Sequence, residues 1–282
     1  MIRSLKYLLL TSLLSVLFSF SIRNELSPVK LLSVMNDSIR NIKTLRVKIY
    51  ALERIENKYL TANSEIKLQV SPRRLYFLNP TKKLEVLYNH GELDNKALVK
   101  PHVFPYITLT LDPKGNLMRK NQHYTIHELG FDFIGKSVAL TLNKDKEGIK
   151  NFTYHGKINK LGYHCYFLEY ENKNYGYQDY IVGEKETASS IAYKLCVNDY
   201  LLRYRNDLLN DFGYLKKGRV IKVPNLYCRK ATIYLDEKLM LPVSISLYDD
   251  KGIFENYEFT GIEINKHISE EEFSRNNKNY HF

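Results

Sequence analysis

With 282 residues, 44% apolar and 13% aromatic, the chain can bury one sizeable core plus a small second domain, which excludes a disordered or collagen-like protein. The 42 Lys and Arg outnumber 31 Asp and Glu, a formal charge of +11 that favours anionic partners but says nothing of fold. The 23 Tyr and 13 Phe, without any Trp, suit pleated and half-buried surfaces, so a β-rich chain is expected.

The first residues read as an export signal. Arg3 and Lys6 precede an uncharged apolar run, residues 7–20, that is too short to span a bilayer comfortably and suits a signal core. Ser19 and Ser21 put small residues at −3 and −1 of a cut before Ile22. Residues 1–21 are therefore expected to be removed on export to the periplasm or cell envelope. No Cys stands directly after the run, so a lipid anchor on a lipobox Cys is not expected.

Ser27-Pro28 then opens a helix, with a capping hydroxyl and a Pro in the first turn, and Leu31, Leu32, Met35 and Ile39 share one face. From residue 44 the period changes to two. Leu45, Val47, Ile49 and Ala51 alternate with polar neighbours, and so do Ile66, Leu68 and Val70. Residues 74–78, 84–88 and 107–111 read as further strands. Residues 122–143, with Tyr124, His127, Phe131 and Ile134, read as a helix laid over the sheet, followed by a polar loop at 144–150. Strands resume at 152–158, 163–170, 231–235, 243–248, 253–259 and 262–264, and Asp249-Asp250-Lys251-Gly252 forms a hairpin turn. Clean alternation implies antiparallel strands, so the expected class is α+β: one long meandering antiparallel sheet with helices covering one side.

Residues 177–226 differ. They read strand (180–182), helix (189–195), helix (199–204), strand (220–223). Pairing of the two strands would bring the ends together and let the unit sit at a hairpin tip. Asn172 would then lie near Cys228, and Cys165 opposite about residue 235, too far from Cys228 for a bridge. Cys165, Cys196 and Cys228 are accordingly expected as free thiols.

Tyr180-Ile181-Val182, the run Glu186 to Lys194, Val197, Leu202, Asn206 and the run Leu215 to Pro224 together resemble a LysM domain. The resemblance implies a βααβ unit that binds peptidoglycan or another N-acetylglucosamine polymer. Its groove would lie between Lys185, Glu186, Thr187 and Ala188 on one side and Asn206, Asp207, Leu208 and Leu209 on the other. Two positions depart from that family: Lys185 replaces the usual Gly, and Ala188 replaces a large apolar floor.

The remainder carries Leu111-Asp112-Pro113, the run Leu117 to His123, the run Glu128 to Asp132, Leu241-Pro242, the run Tyr248 to Gly252, Tyr257-Glu258-Phe259, Asn265, Ile268 and Phe273. These resemble the exported DUF1571 family, whose members look similar to the LolA-like lipoprotein-carrier half-barrel. The resemblance implies that the sheet is a curved antiparallel half-barrel, a discontinuous domain, 22–173 and 228–282, around the 177–226 insert, with a lipid or lipoprotein as partner. The apolar groove would be lined by Val47, Ile49, Ile66, Leu68, Val70, Ile107, Leu109, Leu111, Phe131 and Phe133. The expected function is that of a non-catalytic envelope protein, holding peptidoglycan through LysM and an apolar ligand through the half-barrel. The alternative is a structural envelope protein with a filled core and a spacer LysM.

Other motifs point elsewhere and are weaker. Gly130-Phe-Asp-Phe-Ile-Gly135-Lys136-Ser137 fits a phosphate-loop pattern, but Phe131, Phe133 and Ile134 are too bulky to bare amides to phosphate. His123 and His127 stand four apart with Glu128 beside them, and a zinc site would need a third ligand such as His155 or His164. A loop-closing cluster with Arg119, Lys120 and Asn121 is the favoured reading, and a hydrolytic centre on His123, His127 and Glu128 the minor one. No nucleophile motif occurs, basic residues are scattered, and neither enzyme activity, cofactor, metal nor nucleic acid is expected.

Overall fold

The structure, a computed structural model, describes residues 27–144 and 148–282, so the expected signal segment lies outside the described residues. Helix α1 (Pro28–Arg40) starts where the cap predicts: Ser27 Oγ accepts the Lys30 amide at 3.3 Å. Its buried face is Leu31, Leu32, Met35 and Ile39. Then come β1 (Thr44–Ile55), β2 (Lys58–Gln69), β3 (Arg74–Asn79), β4 (Leu84–Asn89), β5 (Ala97–Pro101) and the short β6 (Leu109–Leu111). A turn of helix, α2 (Asn116–Arg119), and helix α3 (Asp132–Lys144) lead to β7 (Phe152–Lys160) and β8 (Tyr163–Glu171). The next segment runs β9 (Tyr177–Ile181), α4 (Ala188–Leu195), α5 (Asp199–Arg205), β10 (Val220–Pro224). The chain closes with β11 (Lys230–Asp236), β12 (Pro242–Asp249) and β13 (Gly252–Ile264).

Eleven strands form one sheet in the order β6-β5-β4-β3-β2-β1-β13-β12-β11-β8-β7. Every adjacent pair is antiparallel. The first and last strands sit side by side, with Leu45 opposite Ile264. Bulges between Arg46 and Lys48 on β1 and between Tyr154 and Lys157 on β7 bend the sheet. The alternation of β1 and β2 points Leu45, Val47, Ile49, Ile66 and Leu68 to the face that α1 and α3 cover, which is the main core.

Three readings change. The covering helix begins only at Asp132, because Gly130 takes φ +108° and residues 122–131 run as turns. Residues 97–101, not among the expected strands, pair with β4. That leaves 109–111 as a short edge strand, with Ile107 57% and Leu109 41% exposed and not on a covered face.

Tyr177–Pro224 folds as a β-α-α-β unit with its own pair of strands, Ile181 opposite Val220, and its own core of Val182, Ile191, Leu202, Ile221 and Val223. Thr187 and Ser190 cap α4 reciprocally, at 3.0 and 2.9 Å, and Asn198 caps α5 at 3.1 Å. The unit leaves and rejoins the sheet at the β8–β11 edge, where the Asn172 amide meets the Arg229 carbonyl at 2.8 Å. Cys165 pairs with Asp236, one residue from the expected partner, and Cys228 lies beyond the opposite end of that ladder. All three cysteines are buried thiols.

Candidate functional site

Under β11–β13 the core is hollow. A cavity of about 110 Å³ lies between α3 and the sheet. Ile49, Phe133, Ile134, Val138, Phe152, Ala231, Ile233, Ile245, Leu247 and Phe259 supply its apolar wall. Two glycines set its roof. At Gly130 a Cβ would stand 2.9 Å from Leu68 Cδ2, and at Gly135 one would meet Asn36 Oδ1 at 3.1 Å and Ile39 at 3.3 Å. These close approaches pin α3 and its lead-in against β2 and α1. The phosphate-loop pattern is thus a pair of packing glycines. Its Ser137 hydroxyl bonds back to the Phe133 carbonyl at 2.8 Å, and the Lys136 ammonium lies 3.5 Å above the Tyr193 ring.

One end of the cavity is polar. Tyr124 and Tyr227 hydroxyls touch at 2.7 Å, and Tyr124 donates to Glu255 Oε1 in a very close bond. Glu255 Oε2 lies 2.8 Å from His123 Nδ1, and His123 Nε2 lies 3.2 Å from the Arg54 carbonyl. Neither the His123 nor the Glu255 side chain touches solvent. Burial alone would lower the His123 pKa, but the Glu53 charge and the Glu255 bond outweigh it and leave the imidazole above its ordinary value. Burial pushes the Glu255 carboxyl up, against the pull of His123. It also drives the Tyr124, Tyr227 and Tyr257 hydroxyls well above the usual range, so all three stay protonated donors.

His123 also joins the two parts of the molecule. Its ring is stacked between Phe254 of β13, at 4.3 Å and 15°, and Tyr200 of α5, at 4.6 Å and 24°. The Tyr200 hydroxyl accepts the Glu56 amide at 2.7 Å, and Ile55, Leu201 and Leu209 complete an apolar seam. Around it, Arg119 pairs closely with Asp199, which Arg203 Nε also reaches at 3.2 Å, and Arg54 pairs closely with Asp249. The Arg119–His127 stretch is therefore a lock that seats α5 on the sheet. The shared helix face expected of His123 and His127 is corrected here. Without a helix over 122–131 the two rings do not share a face; His127 packs edge-on to Tyr88 at 5.0 Å. Glu128 is taken up by the Thr125 amide at 2.7 Å, and His155 stacks on Phe167 at the β7–β8 edge.

The structure gathers only part of the expected groove. Ile49 and Phe133 line the cavity. Val47, Ile66, Leu68 and Phe131 fill the solid core beneath α1, with Val70 packed against it. Ile107 and Leu109 face solvent and Leu111 is half-buried. Strand phase tells which face an apolar residue takes, but not whether that face is filled. The further liners lie on β11–β13, on α3 (Ile134, Val138) and on β7 and β8 (Phe152, Tyr170); the legible signal is Glu255, a carboxylate in phase with Tyr257 and Phe259 on the inward face of its strand.

The expected glycan-binding residues serve mostly inside the βααβ unit. The Glu186 carboxylate accepts the Gly183 amide at 2.7 Å and pairs with Lys194 at 3.1 Å, and the Gly183 bond foremost holds its pKa below the usual value. Thr187 caps α4, and Ala188 and Leu208 are core. Asn206 braces β10 through the Lys222 amide and carbonyl, both at 2.7 Å, and Leu209 packs on the seam. Lys185 and Asp207 stay exposed, at φ +53° and +56°.

Residues 43–182 and 216–282 match the family described as "Protein of unknown function (DUF1571)", passing over most of the βααβ unit. No curated protein matches the chain. Among solved structures it is similar to MucB, with TM-score 0.40 and 11% identity over 87% of this chain and 62% of that one. It is also similar to the Mycobacterium tuberculosis lipoprotein LppX, with TM-score 0.36 and 11% identity over 86% and 99% of the two chains. A putative outer membrane lipoprotein-sorting protein domain from Vibrio parahaemolyticus gives TM-score 0.34 and 8% identity over 88% and 96%. The chain spans about 62% of the length of MucB. Since the family match takes in all eleven strands of the large sheet, the chain belongs to the DUF1571 family.

Proposed function

We propose that the protein is an exported, non-catalytic carrier that holds the apolar part of a lipid, or of a lipoprotein's acyl group, in the cavity under β11–β13. The observation that carries this reading is an apolar hollow with hydrogen-bonding groups at one end. An amphiphile suits such a site: its apolar body lies on Ile233, Ile245 and Phe259, and its head reaches Tyr124, Tyr227 and Glu255. At about 110 Å³ the hollow is smaller than the roughly 150 Å³ at which an apolar cavity takes benzene, so as it stands it suits a short alkyl segment at most. A full acyl chain requires α3 to lift. A non-catalytic role accords with His123, whose ring nitrogens both face fixed partners.

The test is extraction and mass analysis of the purified protein, followed by titration with a fluorescent fatty acid. Ile233→Trp fills the hollow and is expected to weaken binding by about ten-fold or more, with the circular dichroism spectrum unchanged. Equal binding by the parent and Ile233→Trp overturns the reading in favour of a purely structural envelope protein.

A second reading concerns the βααβ unit. We propose that it contacts peptidoglycan or a similar N-acetylglucosamine polymer, supported by Tyr214, 73% exposed and bridged to Thr187 beside the first loop, where a ring is offered to a sugar face. Sedimentation with purified peptidoglycan checks it: Tyr214→Ala is expected to reduce retention several-fold, and unchanged retention counts against it.

A further inference from the structure

The face of the sheet opposite the cavity carries a second constellation, remote from the seam. On β4, Val86 and Tyr88 point to the main core, so Glu85 and Leu87 point to the other face. There the last residues of the chain fold back on the sheet. Tyr280 stacks flat on Tyr76, with ring centres 3.8 Å apart, and Phe282 joins the Tyr76–Leu87–Leu98 cluster. This docking brings His281 to Glu85, with His281 Nδ1 2.5 Å from Glu85 Oε1 and the His281 amide donating to Glu85 Oε2 at 3.2 Å. His102, just past β5, places Nε2 3.0 Å from the same Oε1.

Two features need an explanation. Glu85 is 1% exposed, yet among the described residues its ion-pair partners are these two histidines, with no Lys or Arg. A buried carboxylate without a cation is costly. His102 Nε2 is shut off from solvent but makes no well-aligned hydrogen bond. One cation answers both. The three donor atoms lie within 4.8 Å of one another, and ligand atoms around tetrahedral zinc stand about 3.3 Å apart, so an ion enters after a shift of under about 1 Å.

We propose that Glu85 Oε1, His102 Nε2 and His281 Nδ1 bind one divalent transition-metal ion of the Zn²⁺ class. Two imidazoles and one carboxylate favour Zn²⁺ over Mg²⁺ or Ca²⁺, which take oxygen donors. The remaining coordination position faces a hollow lined by Lys100 and Tyr106, open to water or a small anion. The ion ties residues 277–282 to β4 and β5.

The full chain, stripped with chelator, is titrated with ZnCl₂ by calorimetry and with Co²⁺ by visible absorption. One ion per chain and tetrahedral Co²⁺ bands are expected. His281 is 63% exposed, so His281→Ala leaves the packing intact; it and His102→Ala should each weaken Zn²⁺ binding by about ten-fold or more, while His155→Ala does not. No stoichiometric uptake by the parent chain, or undiminished uptake by the His102→Ala/His281→Ala double variant, overturns the proposal. Circular dichroism of each variant shows that a loss of binding is not a loss of fold.

Discussion

Beneath β2–β5 and the start of β1 the core cluster is packed, whereas beneath β11–β13 it is hollow, although both flanks present the same alternation of apolar side chains. On the filled flank Leu45, Ile66, Leu68 and Leu75 share one buried cluster with Leu31, Leu32 and Met35 of α1, each almost wholly shut off from solvent. On the hollow flank small residues such as Ala231 stand beneath α3, Tyr124 bonds both Tyr227 and Glu255, and Tyr257 bonds Glu53. Buried polar groups are costly to leave without partners, so any inward packing on this flank has to keep those bonds. Alternation selects a face; the covering element and its polar ties decide whether the space behind that face is filled.

The comparison breaks first at its polar centre. His123→Ala is expected to cost about 3–5 kcal/mol, since it strands Glu255 as a buried unpaired carboxylate and removes the ring between Phe254 and Tyr200. Denaturant unfolding measures this, and a loss below about 1 kcal/mol would show that the seam is not what the network supports. Next, Leu68→Ala on the filled flank should cost about 2–5 kcal/mol. Two alanines then set the flanks against each other. Ala97→Leu, in the solid core, should cost about 1–3 kcal/mol, while Ala231→Leu, at the cavity wall, should be near neutral. Equal penalties would mean the hollow has no spare room.

Protonation gives a gentler test. His123 is raised in the folded state, so the native protein binds more protons than the unfolded chain over that interval. Its contribution is complete below the unfolded value of about 6.5 and is lost as pH rises through the folded value. The raised Glu255 acts in the same direction at lower pH. The midpoint of thermal unfolding should therefore fall as pH rises above about 6.5, and His123→Gln should flatten that slope. The smallest expected effect lies in the βααβ unit. Lys185→Gly relieves a left-handed residue and should add up to about 1 kcal/mol, read as a higher denaturant midpoint.

How much was legible follows the range of the interactions. The cap at Ser27, the alternation of β1 and β2, the helices and strands of residues 177–224 and the Cys165–Asp236 pairing to within one residue all follow from neighbours along the chain or from counting along a ladder. The start of α3 differs from the expectation because Tyr124, His127, Phe131 and Ile134 stand at helical spacing, while Gly130 takes φ +108° just before the helix. Val47, Ile66 and Leu68 were assigned the right face but the wrong surroundings, since nothing local marks where α1 sits.

By itself, the sequence determined a β-rich antiparallel chain, the faces of its long strands and a strand-helix-helix-strand unit spliced near residue 172, because periodicity and capping act over a few residues. Only the tertiary structure decided which flank stays hollow, why His123 is buried against Glu255 132 positions away, and how Glu85 meets His281 across 196. Such meetings depend on how helices, turns and the final segment are laid on the sheet, and that is settled by packing and by the pairing of buried charge rather than by any local pattern.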